Sequence, residues 1–339
     1  MGTTKLKEFQ WGYENTPGTA VAATTKGLTL ITPPGQDREV HIPQGEIGVR
    51  ADLLLDAAVV RRVGAVGLTM AARDGAYFQL FPHLFSMGLV KETPSAGGDG
   101  DYTYSFPAPM TSAVNVDTAT LEVIDDSGAV EIPYSFVKAI SISGDCDDGT
   151  FDVSADMVGQ KVHPTTKTSG LSMGNVDMCV AKLTQVYVDG TWAGLGTTEL
   201  ANALVAFEIN FETGLHAKWL GSDQMEYDNH GQGAIRGTAQ LTFERTAAVL
   251  AEMAYYRPAS GHDLTKRFLR FKTTGPLIGG SVYHTLTLDF AGLWTDWQTI
   301  GSEKEGNNLD IATMTFGYDQ TGAQVLAAEV VTDLSSIYS

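Results

Sequence analysis

One stretch of the chain has the outline of a hydrolytic motif: Gly170-Leu171-Ser172-Met173-Gly174, which matches G-x-S-x-G. That motif needs a strand before the serine and a helix after it, so that a strained turn exposes the hydroxyl. Here a Pro/Thr/Lys-rich stretch precedes and Asn175-Val176-Asp177 follows without helical periodicity, so Ser172 is not expected to be a nucleophile. The acidic turn Asp145-Cys146-Asp147-Asp148-Gly149 suggests calcium, but counting back from Gly149 puts Cys146 and Gly144 where oxygen ligands belong. It reads as a solvated hairpin turn, for which Asp and Gly are the usual residues. Gly231-Gln232-Gly233 with Gly237 has the glycines of a dinucleotide loop but runs into a strand, leaving no helix N-terminus for a phosphate. His41, His83, His163, His216, His230, His262 and His284 form no H-x-x-x-H pair. The expectation is a protein with no catalytic residue, cofactor or metal, and not an enzyme.

The polar residues that alternate along apolar strands are more informative. Asp152, Ser154 and Asp156 alternate with Phe151, Val153, Ala155 and Met157; Glu208, Asn210 and Glu212 alternate with Phe207, Ile209 and Phe211. Thr242 stands between Leu241 and Phe243, and Thr285, Thr287, Thr313 and Thr315 recur with the same period of two. Such a period places one set on the core and the other on a wet face. That face is either the ordinary solvent side of an antiparallel sheet or, if open sheet edges join between subunits into a closed barrel, the lining of a channel.

The elements that position these residues centre on Val137–Val162, a hairpin whose loop, Gly144–Gly149, is longer than the two-residue ideal. Residues 1–45 read as an extended, strand-poor arm punctuated by Pro17, Gly18, Pro33, Pro34 and Gly35. Strands are expected at Glu46–Asp56 and Val63–Arg73, then a helix capped by Asp74, with Tyr77, Leu80, Phe81 and Leu84 on its buried side and Pro82 ending or kinking it. Residues 93–115 form a Gly/Pro/Ser-rich excursion before strands at Ala119–Ile124 and Tyr134–Ser143. A linker over Gln160–Asn175 leads to strands at Ala203–Glu212 and Thr238–Arg245. A helix at Ala247–Tyr256 follows, with Val249, Leu250 and Met253 buried, then strands at Phe268–Thr273, Tyr283–Phe290 and Leu309–Tyr318. Residues 291–308 read as an exposed loop.

The two series repeat. GAVGLTM (64–70) and GTAQLTF (237–243) each precede a helix, the strand at 119–124 matches 268–273, and the hairpin at 138–157 matches 283–290 with 309–318. An offset of about 170 residues argues for duplication, with one domain over 1–165 and a second over 166–339.

With 339 residues, 43% hydrophobic and 18% charged, the chain is long enough for two domains and has the composition of a globular protein. No apolar run reaches the roughly 20 residues of a spanning helix, and MGTTKLKEFQW lacks a signal-peptide core, so no membrane insertion is expected. Forty acidic against 22 basic residues leave a net charge of −18, which argues against a phosphate-gripping surface and suits one that nucleic acid slides past. Cys146 and Cys179 are too few for a disulfide framework and fit a reducing compartment.

WGYENTPGTAVAATTKGLTLI (11–31), VDTATLEV (116–123), SISGDCDDGTFDVSADMVGQKV (141–162), FETGLHAKWLG (211–221) and RGTAQLTFE (236–244) together resemble the major tail tube proteins of siphophages, the long non-contractile-tailed bacteriophages. The resemblance implies a mainly β fold of two tandem tail-tube-type β-sandwich or barrel domains, each with a flanking α-helix, whose inner sheets join between subunits into a closed barrel. Family members form rings of six single-domain chains, or of three chains with two fused domains, stacked into a hollow conduit for DNA ejection. This chain resembles the fused version. The implied partners are further copies of itself, a tape-measure protein, and tail terminator and tail-tip proteins, with DNA passing non-specifically. The implied location is the virion tail, and the host cytoplasm during assembly. The eleven alternating polar residues above are then the expected lumen wall, and residues 1–45, 93–115 and 291–308 the expected contacts to adjacent rings. The alternative from the residues alone is a β-sandwich adhesion or carbohydrate-binding module presenting Trp192, Trp294 and Trp297 to sugars.

Overall fold

The computed structural model describes residues 7–32, 35–42, 57–66, 68–72, 75–108, 111–147, 149–257, 264–304 and 306–338. The expected strand at Glu46–Asp56 and the Asp74 cap lie outside them. The chain is mainly β and every strand pairing is antiparallel.

In chain order the first half contains β1 (Glu8–Tyr13), β2 (Thr25–Gly27), β3 (Leu30–Ile31), β4 (Gly35–His41), β5 (Ala58–Val66), β6 (Thr69–Ala72), helix α1 (Leu80–Gly88), β7 (Ser95–Ala96) and β8 (Tyr102–Pro107). It continues with β9 (Ala119–Ile124), β10 (Ala129–Asp145), β11 (Asp152–Val158) and β12 (His163–Thr165). The second half has β13 (Thr184–Asp189), β14 (Leu204–Glu212), β15 (Leu215–Lys218), β16 (Asn229–Gln232), β17 (Arg236–Glu244) and helix α2 (Ala247–Tyr256). It ends with β18 (Arg267–Gly279), β19 (Val282–Lys304), β20 (Asn307–Phe316) and β21 (Leu326–Thr332).

Two long strands organise these elements. The C-terminal part of β10 pairs with β11 on one side and β14 on the other, and that of β19 pairs with β20. Together they build one wide sheet in the order β3-β6-β11-β10-β14-β17-β20-β19. Their N-terminal parts leave that sheet. There β10 pairs with β9 and β12, and β19 pairs with β18 and β21, forming two smaller sheets packed over the wide one. β1 and β2 extend the first small sheet, and β13, β8 and β7 extend the second. The bend in β10 falls at Tyr134, a non-glycine residue at φ 54°, where the register with β9 shifts. Such a bulge adds the local twist that turns a strand from one layer into another. Among the described residues these pairings branch without returning on themselves, so one chain closes no barrel.

A continuous apolar core fills the space between the layers and takes side chains from both halves, including Ile140, Ile142, Phe151, Phe207, Ile209, Leu241, Phe271, Leu286 and Met314. Within it the Phe207 ring packs 4.5 Å from Phe271 and 5.0 Å from Phe151, joining residues of both halves. α1 is wholly buried, whereas α2 buries only Val249 and Glu252.

Several expectations need correction. The N-terminal arm is not strand-poor: β1 runs between β2 and β9 and buries Phe9 and Trp11. One partner, β2, has only three residues and the other, β9, lies over 100 residues away, so little local marks β1 as a strand. Pro82 neither ends nor kinks α1, because it stands in the first turn, where its missing N–H has no intrahelical acceptor to lose. Residues 93–115 contain β7 and β8, and β8 extends the second half's small sheet with Tyr104 and Phe106 fully buried. Residues 291–308 are not a loop but the continuation of β19 and the start of β20. α2 leaves Leu250 exposed and buries Glu252 instead, whose carboxylate takes a hydrogen bond from Arg267 Nε at 2.9 Å.

Candidate functional site

One face of the wide sheet packs on the core; the other is polar. Cross-strand register resolves the polar face into rows. Ala71, Ser154, Ser141, Asn210, Thr238 and Thr315 stand side by side across β6, β11, β10, β14, β17 and β20. One step along lie Asp152, Ser143, Glu208, Gln240, Thr313 and Asp296, and on the other side Thr69, Asp156, Ala139, Glu212 and Arg236. Thr242 pairs with Ala206 and Ile311 in a fourth row. The face is hollowed, one depression being lined by Ser141, Asp156, Asn210, Glu212, Arg236 and Thr315 and a second by Ser143, Asp152, Glu208 and Gln240.

Nine of the eleven expected residues therefore share this face: Asp152, Ser154, Asp156, Glu208, Asn210, Glu212, Thr242, Thr313 and Thr315. Thr285 and Thr287 do not. They sit on the N-terminal part of β19, paired with Thr274 and Lys272 of β18, on the outward side of a small sheet whose inner side is Leu286, Leu288 and Phe290. The core separates them from the other nine. Ser141, Ser143, Thr238, Gln240, Thr295 and Asp296 share the face with these nine. The first four carried the same alternation, whereas Thr295 and Asp296 were hidden by reading their segment as a loop.

The rows carry Asp152, Asp156, Glu208, Glu212 and Asp296 against Arg236, with the exposed Lys138 beside them where the β10–β11 register shifts. No histidine stands among these rows. The hydroxyls bond locally, Thr295 with Thr315 at 2.8 Å and Thr69 with Asp156 at 3.1 Å. A surface of this kind repels polyanions over roughly a Debye length, about 8 Å at physiological salt.

At one rim the acidic turn is held by Lys304, whose Nζ lies 2.9 Å from Asp145 Oδ1 and 3.3 Å from Asp147 Oδ2. Burial pushes the Asp145 carboxyl up, but the Asp147 N–H and the Lys304 ammonium outweigh it and hold it below the usual range. Beyond the wide sheet, the β4–β5 and β15–β16 hairpins lie together. Arg62 Nη1 meets Glu226 at 2.7 Å, the Arg62 N–H donates to the Met225 carbonyl at 2.8 Å, and Trp219 Nε1 donates to the Arg62 carbonyl at 3.2 Å. Val40, Val60, Leu220 and Met225 remain exposed on these hairpins and the turn they enclose.

Ser172 lies exposed in an irregular segment with neither strand before nor helix after it, so the nucleophile geometry is absent. The sugar-platform expectation also needs correction. Trp294 and Trp297 are 4% and 2% exposed and pack edge to face at 5.2 Å, and Trp192 is half-buried against Phe268. Cys179 is buried and Cys146 half-buried, and burial pushes both thiols up, away from the reactive thiolate. No helix among the described residues is long and apolar enough to cross a membrane.

The fold also assembles a group that sequence spacing concealed: Asp177, His284 and Asp333 place their ligand-type atoms within 4.8 Å of one another. No family model matches the chain, and no curated protein matches it.

Proposed function

We propose that this chain is a structural virion protein, a tail tube subunit with two tandem tube domains that polymerises as stacked rings into a conduit for DNA. The observation that carries the reading is the seam between the halves. Ala139–Asp145 of β10 pairs residue for residue with Ala206–Glu212 of β14, so the polar face runs unbroken from one half into the other. Connectivity on the two sides is the same: β9-β10-β11-β12 and β18-β19-β20-β21 have matching pairings, and α1 and α2 follow the matching strands β6 and β17. In the first half the outer edge of β10 is covered by β14. The matching edge of β19, Gly292–Lys304, has β20 on one side and no strand on the other among the described residues. At the opposite end β3 pairs with β6 alone.

A second copy repeats the seam by placing its β3 end on this β19 edge, and three copies in sequence close a ring of six halves. The exposed face of α2 is then covered as α1 already is within the chain. A heterologous contact whose rotation closes gives a ring with no free edge, and an obligate interface of this type exceeds about 2,000 Å². The nine clustered polar residues line the lumen, where carboxylates and hydroxyls without a basic clamp let DNA pass. Thr285 and Thr287 belong to the outer layer. Ring-to-ring contact falls to the β4–β5 and β15–β16 hairpins with their exposed Val40, Val60, Leu220 and Met225, in place of residues 93–115 and 291–308. Tape-measure, terminator and tail-tip proteins are the partners this assembly requires, in the virion tail and beforehand in the host cytoplasm.

Electron microscopy of the purified protein, alone and co-expressed with a tape-measure protein, tests the reading. Rings or tubes with three chains per cross-section are expected. A protein that stays monomeric under all assembly conditions overturns it, and six whole chains per ring overturns the fused-domain count.

A further inference from the structure

Asp177, His284 and Asp333 come from three separate places: the segment joining the halves, the start of β19, and the residue after β21. His284 is 2% exposed. Its Nε2 points at Asp177 Oδ2 from 3.3 Å, and its Nδ1 has no hydrogen-bond partner among the described residues. A buried imidazole directed at two carboxylates, with so little of its own bonding met, is an unfinished polar site. The carboxylates are gathered by a neutral group. Gln79 Nε2, at the N-terminus of α1, lies 2.6 Å from Asp177 Oδ2 and 2.8 Å from Asp333 Oδ1. Asn175 Nδ2 donates to Asp333 Oδ2 at 2.6 Å, Thr332 Oγ1 donates to Asp333 Oδ1 at 3.3 Å, and the ring of Phe78 lies 5.5 Å from that of His284. One amide nitrogen thus occupies the point between two carboxylates where positive charge is favoured.

We propose that Asp177, His284 and Asp333 form a divalent-cation site of the zinc and manganese class, fastening the joining segment and the C-terminal residues to α1. Two carboxylates and one imidazole are a common donor set for such ions, and the nitrogen donor disfavours calcium and magnesium, which take oxygen. Nitrogen and oxygen ligands bind Zn²⁺ tetrahedrally at about 2.0–2.2 Å, so two ligand atoms stand about 3.4 Å apart. His284 Nε2 and Asp177 Oδ2 already stand 3.3 Å apart, and the widest pair, within 4.8 Å, closes by up to about 1.4 Å to bring the three ligands onto one ion. Loading also requires the Gln79 amide to turn, giving up the bond its Oε1 accepts from the Asp177 N–H at 3.1 Å. Its carbonyl oxygen then becomes a fourth ligand. The site is independent of the tube reading.

Calorimetric titration of the metal-free full-length chain with Zn²⁺ tests the proposal. One equivalent is taken up, Mn²⁺ binds the same site more weakly, and Ca²⁺ and Mg²⁺ do not compete. At a hundredfold excess over Kd the melting temperature rises by about 4 °C. Asp333→Asn and His284→Gln each weaken Zn²⁺ by at least about tenfold, and Gln79→Glu, which supplies a third carboxylate, tightens it by about tenfold. Failure to take up one saturable equivalent at millimolar Zn²⁺ overturns the proposal. So does an affinity that Asp333→Asn and Gln79→Glu, each shown folded by circular dichroism, both leave unchanged, since the metal then sits on surface histidines.

Discussion

Ile142 in the first half of the chain is the direct cross-strand partner of Ile209 in the second, and both are fully buried. The seam between the halves is therefore a piece of core as well as a ladder of backbone bonds. Ile209→Ala is expected to destabilise the protein by about 2–5 kcal/mol, the usual cost of removing a buried aliphatic side chain. Because the core crosses the seam, urea unfolding monitored by tryptophan fluorescence and by circular dichroism should give one coincident transition. Two separated transitions would show that the halves unfold independently.

The polar face makes a prediction about nucleic acid. Changing Asp152, Asp156, Glu208 and Glu212 together to Lys leaves the core side of every strand untouched, so the fold should survive. The variant is expected to retard double-stranded DNA in a gel-shift assay, with a binding constant that falls steeply as salt rises. The unmodified protein should not retard it. DNA binding of equal strength by both proteins would remove the argument that this face is built against phosphate.

Arg267 and Glu252 form an ion pair between β18 and α2 with both side chains almost fully buried, and burial pushes the Glu252 carboxyl up despite its partner. Removing one member strands the other charge, so Arg267→Ala should cost about 3–5 kcal/mol, whereas Glu252→Leu combined with Arg267→Met should cost far less. Denaturation midpoints of the three proteins measure the difference. A double variant as unstable as the single one would mean that the pair contributes through shape and not charge.

Glu122 governs the acid side of stability. Burial pushes its carboxyl up, but bonds from Thr168, Gln10 and the Ala23 N–H prevail and hold it below the ordinary range. A depressed carboxyl contributes its stability above the unfolded-state pKa and loses it as pH falls through the folded-state value. Glu122→Gln should therefore lower stability at neutral pH by about 1–3 kcal/mol and flatten its decline below the carboxylate range. Melting temperatures from pH 7 down to pH 3 test this, and parallel curves for the two proteins would contradict it.

Much of this arrangement is legible in the sequence where alternation is strong. The runs at 151–157 and 206–212 identify both the strands and the side that stays wet, because a period of two leaves little else possible. Alternation says which residues share a face of one strand; it does not say which sheet the strand occupies. That is why Thr287 and Thr313 look equivalent in sequence yet lie on opposite sides of the core. β19 changes layers near Gly292, where its partner passes from β18 to β20. Trp294 and Trp297 look like loop aromatics because a bulge there breaks the alternation, the register shifting between Trp294 and Asp296. Asp177, His284 and Asp333 have no common spacing at all, and only the return of β19 and β21 toward α1 brings them together.

The two long strands carry a consequence for fidelity of folding. A one-residue slip of β19 against β18 would turn Leu286, Leu288 and Phe290 outward, and would at the same time pull Trp297 out of the other layer. Because one backbone belongs to both layers, neither can settle in a wrong register without spoiling the other. β10 imposes the same condition on the first half, so each layer proofreads its neighbour.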